Sequence, residues 1–113
     1  MTTNARQSKT GCPVHRFQQL IGGKYKLRIL WDLQNGPLRY SEIRRTLLQG
    51  QLGTPVIPAR VLSRELRALT TMGMLSRKDY KVVPPKVEYA LTAMGQSMIP
   101  VIAVIHRWGT RNL

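Results

Sequence analysis

Between Pro58 and Gly73 the chain reads PARVLSRELRALTTMG. Wound at about 100° per residue, Arg60, Ser63, Arg64, Arg67 and Thr71 form one stripe, with Leu62, Leu66 and Leu69 opposite. A helix with such faces packs one on a core and offers the other to water or to an anion. Pro58 suits a first helical position, where the missing N–H has no partner anyway, and Gly73 suits the left-handed residue that ends a helix. From the helix alone, a solvated arginine face and an anion-binding face are both open.

Cys12 is the second residue with chemistry to offer. If Pro13 opens a helix, the thiol sits at the N-cap, near the positive end of the helix dipole. Arg16, and His15 if charged, add positive potential one turn in, and all of this favours the thiolate that oxidants and electrophiles attack. The competing reading is a small buried residue, the commoner fate of a free cysteine. No second cysteine exists for an internal disulfide, which fits a reducing, cytoplasmic setting.

Other chemistries are poorly supplied. His15 and His106 are far apart and lack Cys or carboxylate neighbours for a zinc site. The five acidic residues are scattered and form no acid–base pair. Gly22-Gly23 follows no strand, so it is a helix break and not a phosphate-cradling loop. Neither an enzyme nor a cofactor is expected. With 18 Lys and Arg against 5 Asp and Glu, the formal charge of +13 favours a polyanionic partner, nucleic acid first and an anionic membrane surface second. The longest apolar run, near Met98 to Ile105, falls far short of the ~20 residues a bilayer span needs, and the N-terminus lacks a secretory h-region. A cytoplasmic protein that spans no membrane is therefore expected, and with nucleic acid as the leading partner no membrane is assigned.

The 113 residues suffice for one domain with a modest core. Residues Met1 to Gly11 are polar and basic and predict a disordered arm, leaving 12–113 as the folded domain. A first helix is expected from Pro13 to Ile21, broken by Gly22-Gly23. A second, from Lys24 to Gln34, is apolar around most of its circumference and should be the central core helix. Asn35-Gly36-Pro37 stops it, and Leu38 to Tyr40 allows only an edge strand. Ser41 reads as the N-cap of a third helix, Glu42 to Leu48, and Gln49 to Ile57 as a loop before the arginine-striped helix. Met74 to Tyr80 and Lys86 to Leu91 predict an antiparallel hairpin whose Pro84-Pro85 tip must project as a loop. Thr92 caps a last helix from Ala93 to Trp108, whose apolar residues exceed what one small core can cover and whose interior Pro100 should bend it or sit where the ladder is already disturbed. The order is that of a mainly helical (α+β) winged helix-turn-helix with added helices at both ends.

At this point the residues resemble a known family. CPVHRFQQLIGGKYKLRIL (12–30), GPLRYSEIRRTL (36–47), LSRELRALTTMGML (62–75), VPPKVEYALTAMG (83–95) and PVIAVIHRWG (100–109) are together similar to HxlR-type transcriptional regulators, in order and over nearly everything after the arm. The resemblance implies a homodimeric DNA-binding regulator of MarR-like architecture, with the hairpin as wing and the terminal helices as dimer interface. On this chain that places Val14, Phe17, Met98, Val101, Ile102, Ile105 and Trp108 at the interface. Some members of the family sense oxidants or electrophiles through a cysteine at the place of Cys12. Two departures stand out: the 49–57 loop is about seven residues longer than the family norm, and Pro58 replaces a Ser-type cap. They leave open which of Ala59 and Arg60 reaches the bases.

Arg60, Ser63 and Arg64 are the base-edge candidates, an arginine fork on guanine O6 and N7 giving about 1–3 kcal/mol of discrimination. Arg67 either meets a phosphate or braces the fold. Ser41, Arg44 and Arg45 are placed to meet backbone phosphates. Lys78, Lys81 and Lys86 line the hairpin; singly they are screened surface charges, but together they suggest a basic rim continuous with the recognition face. That continuity favours double-stranded DNA, read at a pseudo-palindromic operator by a homodimer. The rivals are a basic protein that coats nucleic acid without sequence preference and a winged fold used as a ligand- or protein-binding module. No small-molecule effector is legible.

Overall fold

A computed structural model describes residues 11–48 and 57–113; the expected arm and all of the expected loop except Ile57 lie outside the described residues, save for Gly11. The elements run α1 (Pro13–Ile21), α2 (Lys26–Asp32), β1 (Leu38–Arg39), α3 (Tyr40–Leu48), α4 (Ala59–Thr71), β2 (Leu75–Asp79), β3 (Val87–Leu91) and α5 (Ala93–Asn112). This is the winged helix-turn-helix that the order of elements predicts.

The core forms where the apolar stripes converge. Ile29, Leu30 and Leu33 in and just after α2, Ile43 and Leu47 of α3, and Leu62, Leu66 and Leu69 of α4 are almost wholly buried. Met74, Leu75, Met98 and Ile102 close the cluster from the hairpin root and α5. The sheet has strand order β1-β3-β2 and is antiparallel throughout, with Leu38 and Arg77 both opposite Tyr89. β1 is the edge strand that its length allows.

Several boundaries differ from expectation for identifiable reasons. α2 is shorter than Lys24 to Gln34, because Tyr25 is its N-cap and its end tightens into turn bonds, Gln34 N–H to Trp31 O at 3.3 Å and Gly36 N–H to Leu33 O at 3.2 Å. Ser41 is not an N-cap: α3 already begins at Tyr40, and the Glu42 carboxylate accepts the Arg39 N–H at 2.8 Å instead. Pro58 precedes the first turn of α4 as its N-cap, with extended backbone (φ −61°, ψ 143°), rather than occupying it. Gly73 does take the left-handed conformation, at φ +84°. α5 continues past Trp108 to Asn112, with Pro100 on an exposed side.

The joint between α4, the hairpin and α5 is tight. Thr92 caps α5 by accepting the Gly95 N–H at 3.1 Å, donates its own hydroxyl to the Gly73 carbonyl, and sends its N–H to Met74 O at 3.1 Å. Gly95 is buried against that same carbonyl, and a Cβ there would lie 2.2 Å from Met74 O. Backbone cannot yield as a side-chain tip can. Gly95→Ala is therefore expected to destabilise the fold by about 2–3 kcal/mol, read as a lowered urea midpoint, whereas Gly109→Ala further along α5, where a Cβ would come no nearer than 3.7 Å to the Leu113 side chain, should be nearly silent.

Candidate nucleic-acid interface

The polar stripe of α4 is where the periodicity puts it. Arg60, Ser63, Arg64, Arg67 and Thr71 are all exposed, with the leucines beneath. The start of the helix is held from α3 and not by a side-chain cap of its own. The Tyr40 hydroxyl donates to Ala59 O at 3.1 Å, and the Arg44 guanidinium to Ile57 O at 3.3 Å. These bonds from α3 anchor the entry to the helix through its carbonyls, whereas a Ser-type cap would accept a first-turn N–H; Ala59 and Arg60 are both exposed in the first turn. Arg44 is thereby a half-buried brace, with its Nε buried and unpartnered, and not the free phosphate ligand of the sequence reading. Ser41 and Arg45 remain exposed and share with Tyr40 and Arg44 an open cleft of about 280 Å³.

The wing is organised by a residue that charge counting passed over. Lys78 and Lys86 place their ammonium groups over the Tyr80 ring, 4.6 and 4.3 Å from its centroid. The ring is anchored in turn by its hydroxyl, which donates to Glu88 Oε1 at 2.6 Å. That bond, with lesser help from burial and the carboxylate charge, holds the phenol above its ordinary pKa. Lys81 sits at the turn with φ +56°, its N–H donated to Asp79 Oδ1 at 2.9 Å.

Register corrects the expected basic rim. Lys78 pairs with Glu88 and Arg77 with Tyr89, so alternation puts them on opposite faces of the hairpin. Leu75, Arg77, Tyr89 and Leu91 share the face packed under α4, while Lys78 and Glu88 share the other. Arg77, which charge counting along the chain passed over, is therefore what joins the hairpin to the polar stripe of α4. It lines, with Ser63, Arg67, Thr70, Thr71 and Tyr89, a cleft of about 390 Å³ between α4 and the sheet. Strict period-two reading of LSRKD from the buried Leu75 was the available signal.

All five carboxylates are engaged inside the fold. Besides Glu42, Asp79 and Glu88, Asp32 pairs with Arg28 at 3.0 Å and Glu65 with Lys26. Glu65 is only 5% exposed and lies on the inner side of the helix whose outer side bears the arginines. Lys26 also donates to Gly22 O at 3.1 Å, tying the glycine bend to α4.

The terminal helices divide differently from expectation. Met98 and Ile102 are buried in the chain's own core and Phe17 is half-buried against it, so they are not a free interface. Val14, Val101, Ile105 and Trp108 are exposed, and so are Met94 and Val104, which adds to an apolar surface unusual for an isolated monomer; Leu20 is exposed too, but lines a cleft with Arg64, Arg67 and Thr71 of α4. Cys12 is exposed at the N-cap of α1. The backbone N–H groups of His15 and then Val14 hold its thiol below the ordinary pKa. Among the described residues there is no cluster of His, Cys, Asp and Glu to hold a metal, and no helix long and apolar enough to cross a membrane.

Comparison with known proteins agrees with this geometry. The HxlR-like helix-turn-helix family model matches residues 20–113. The HTH-type transcriptional regulator YkvN of Bacillus subtilis is 40% identical over 101 residues, 89% of this chain and 80% of that one. A MarR-family transcriptional regulator of Porphyromonas gingivalis W83 superposes with a TM-score of 0.79 at 35% identity, covering 90% of this chain and 93% of the other. The redox regulator HypR in its oxidised form gives 0.77 at 35% identity, covering 90% and 98%.

Removing one partner of a buried pair leaves the other charge uncompensated. Glu65→Ala is expected to lower unfolding free energy by about 3 kcal/mol, and the double change Lys26→Met with Glu65→Leu by clearly less; equal losses in chemical denaturation would mean the charge pair is not what holds α4.

Proposed function

The chain belongs to the HxlR-like helix-turn-helix family of transcriptional regulators, and we propose that it acts as a two-fold dimer on a pseudo-palindromic operator in double-stranded DNA. The observation that carries this reading is the exposed stripe of α4, Arg60, Ser63, Arg64 and Arg67, on a helix pinned by Glu65 from behind and by Tyr40 and Arg44 at its start. Arg60, Ser63 and Arg64 read base edges in the major groove, with Ala59 close enough to pack on a base. Ser41 and Arg45 meet phosphates beside α3, and Lys78, Lys81 and Lys86 follow the backbone or minor groove from the wing. Dimerisation covers Val14, Val101, Ile105 and Trp108, and spaces the two recognition helices about 34 Å apart, one turn of B-DNA.

Cys12 gives this regulator an oxidant or electrophile input. It is exposed, its pKa is lowered by backbone N–H groups of α1, and it opens a helix of the dimerising end. The likeness to a redox regulator supports the same reading. With one cysteine in the sequence, the modified state is a Cys12 pair between subunits, a mixed disulfide or a covalent adduct.

Sequencing of genomic fragments retained by the purified protein supplies the operator. Against it, Arg64→Ala is expected to erase preference over random duplex, on the order of tenfold or more for a lost bidentate contact, while sedimentation still shows the dimer; intact selectivity would defeat the assignment. Diamide is expected to change operator affinity of the native protein and to leave Cys12→Ser unaffected. An identical response in the two proteins removes the sensor without touching the regulator.

A further inference from the structure

A duplex presents its major and minor grooves side by side, divided by a single sugar–phosphate strand. A helix seated in the major groove and a hairpin reaching the neighbouring minor groove must let that strand pass between them. In this chain the gap is the cleft of about 390 Å³ between α4 and the sheet. Each wall supplies a guanidinium: Arg67 from the helix and Arg77 from β2, both exposed. Ser63, Thr71 and Tyr89 add hydroxyls, whereas the Thr70 hydroxyl is already donated to Leu66 O at 2.7 Å. No carboxylate lines the cleft; Glu88, in the cross-strand pair next to Tyr89, faces the opposite side and is bonded to Tyr80.

On the proposed DNA-binding reading, we propose that Arg67 and Arg77 clamp one backbone phosphodiester of the bound duplex between the recognition helix and the root of the wing. The clamp fixes how deeply α4 enters the groove and carries no base information, since every sequence offers the same phosphate. It also gives Arg77 a role distinct from that of Arg64. Planar forks approaching one phosphate from two sides can share its oxygens, which an ammonium on the far face of the hairpin cannot do.

The test is a set of anisotropy titrations on the operator and on an unrelated duplex, across a range of KCl concentrations. Arg77→Gln is expected to weaken both duplexes by the same factor, on the order of five- to tenfold near 0.15 M salt, and to make the slope of log K against log salt shallower by about 0.9. Arg77→Lys should keep most of the slope. In a second arm the native protein meets operators carrying one neutral methylphosphonate at successive backbone positions. One position per half-site should weaken native binding and leave Arg77→Gln indifferent. An unchanged salt slope, a loss confined to the operator, or no methylphosphonate position that distinguishes the two proteins would overturn the clamp. If the native protein itself shows no salt-dependent duplex binding, the regulator reading fails instead.

Discussion

The arginine-striped helix α4 is held by a charge pair in the least favourable place for one. Glu65 lies on the inner side of α4, and a carboxylate taken out of water is tolerable only when a cation meets it at close range. Lys26 does so, and the same ammonium donates to the carbonyl of Gly22. One contact thus joins the glycine bend, the first residue of α2 and the back of α4. Gly23, at φ +107°, lets the chain bend so close that a Cβ there would stand 3.4 Å from the second Glu65 oxygen. The pair also sets the rotation of α4 about its axis: with Glu65 and the leucines inward, the arginines have nowhere to go but out.

The fold then gives its two surfaces opposite character. Every carboxylate is occupied by an N–H, a hydroxyl or a cation, and the ion pairs use Lys26 and Arg28, which lie off the α4 stripe. The arginines of α4 therefore keep their charge undiluted. Elsewhere, α1 and α5 leave Val14, Val101, Val104, Ile105 and Trp108 in contact with solvent. Trp31 of α2 stacks on His106 of α5, ring centroids 5.5 Å apart, so α5 is packed directly against the core helix. One small body thus carries a charged face on α4 and exposed apolar side chains on its terminal helices.

The hairpin shows how neighbours in sequence are separated by geometry. Arg77 and Lys78 are adjacent, yet the pleat sends one under α4 and the other to the far face, where Tyr80 collects it with Lys86. Counting positive charge along the chain treats them as equivalent. The sheet makes one a neighbour of α4 and the other part of an aromatic–cation cluster.

Composition, periodicity and punctuation determined a good deal by themselves. They set the class of fold, the order of its elements, the outward stripe of α4 with its glycine stop at Gly73, the cap at Thr92 and the N-cap position of Cys12. These are local properties, written in residues a few positions apart. Tertiary structure decided the rest. It turned Arg44 from a ligand into a brace, drew Met98 and Ile102 into the chain's own core, buried Glu65 against Lys26, and chose Arg77 over Lys78 as the wing's link to α4. Each of those outcomes depends on which surface a distant segment brings to the residue, and spacing along one element holds no record of that.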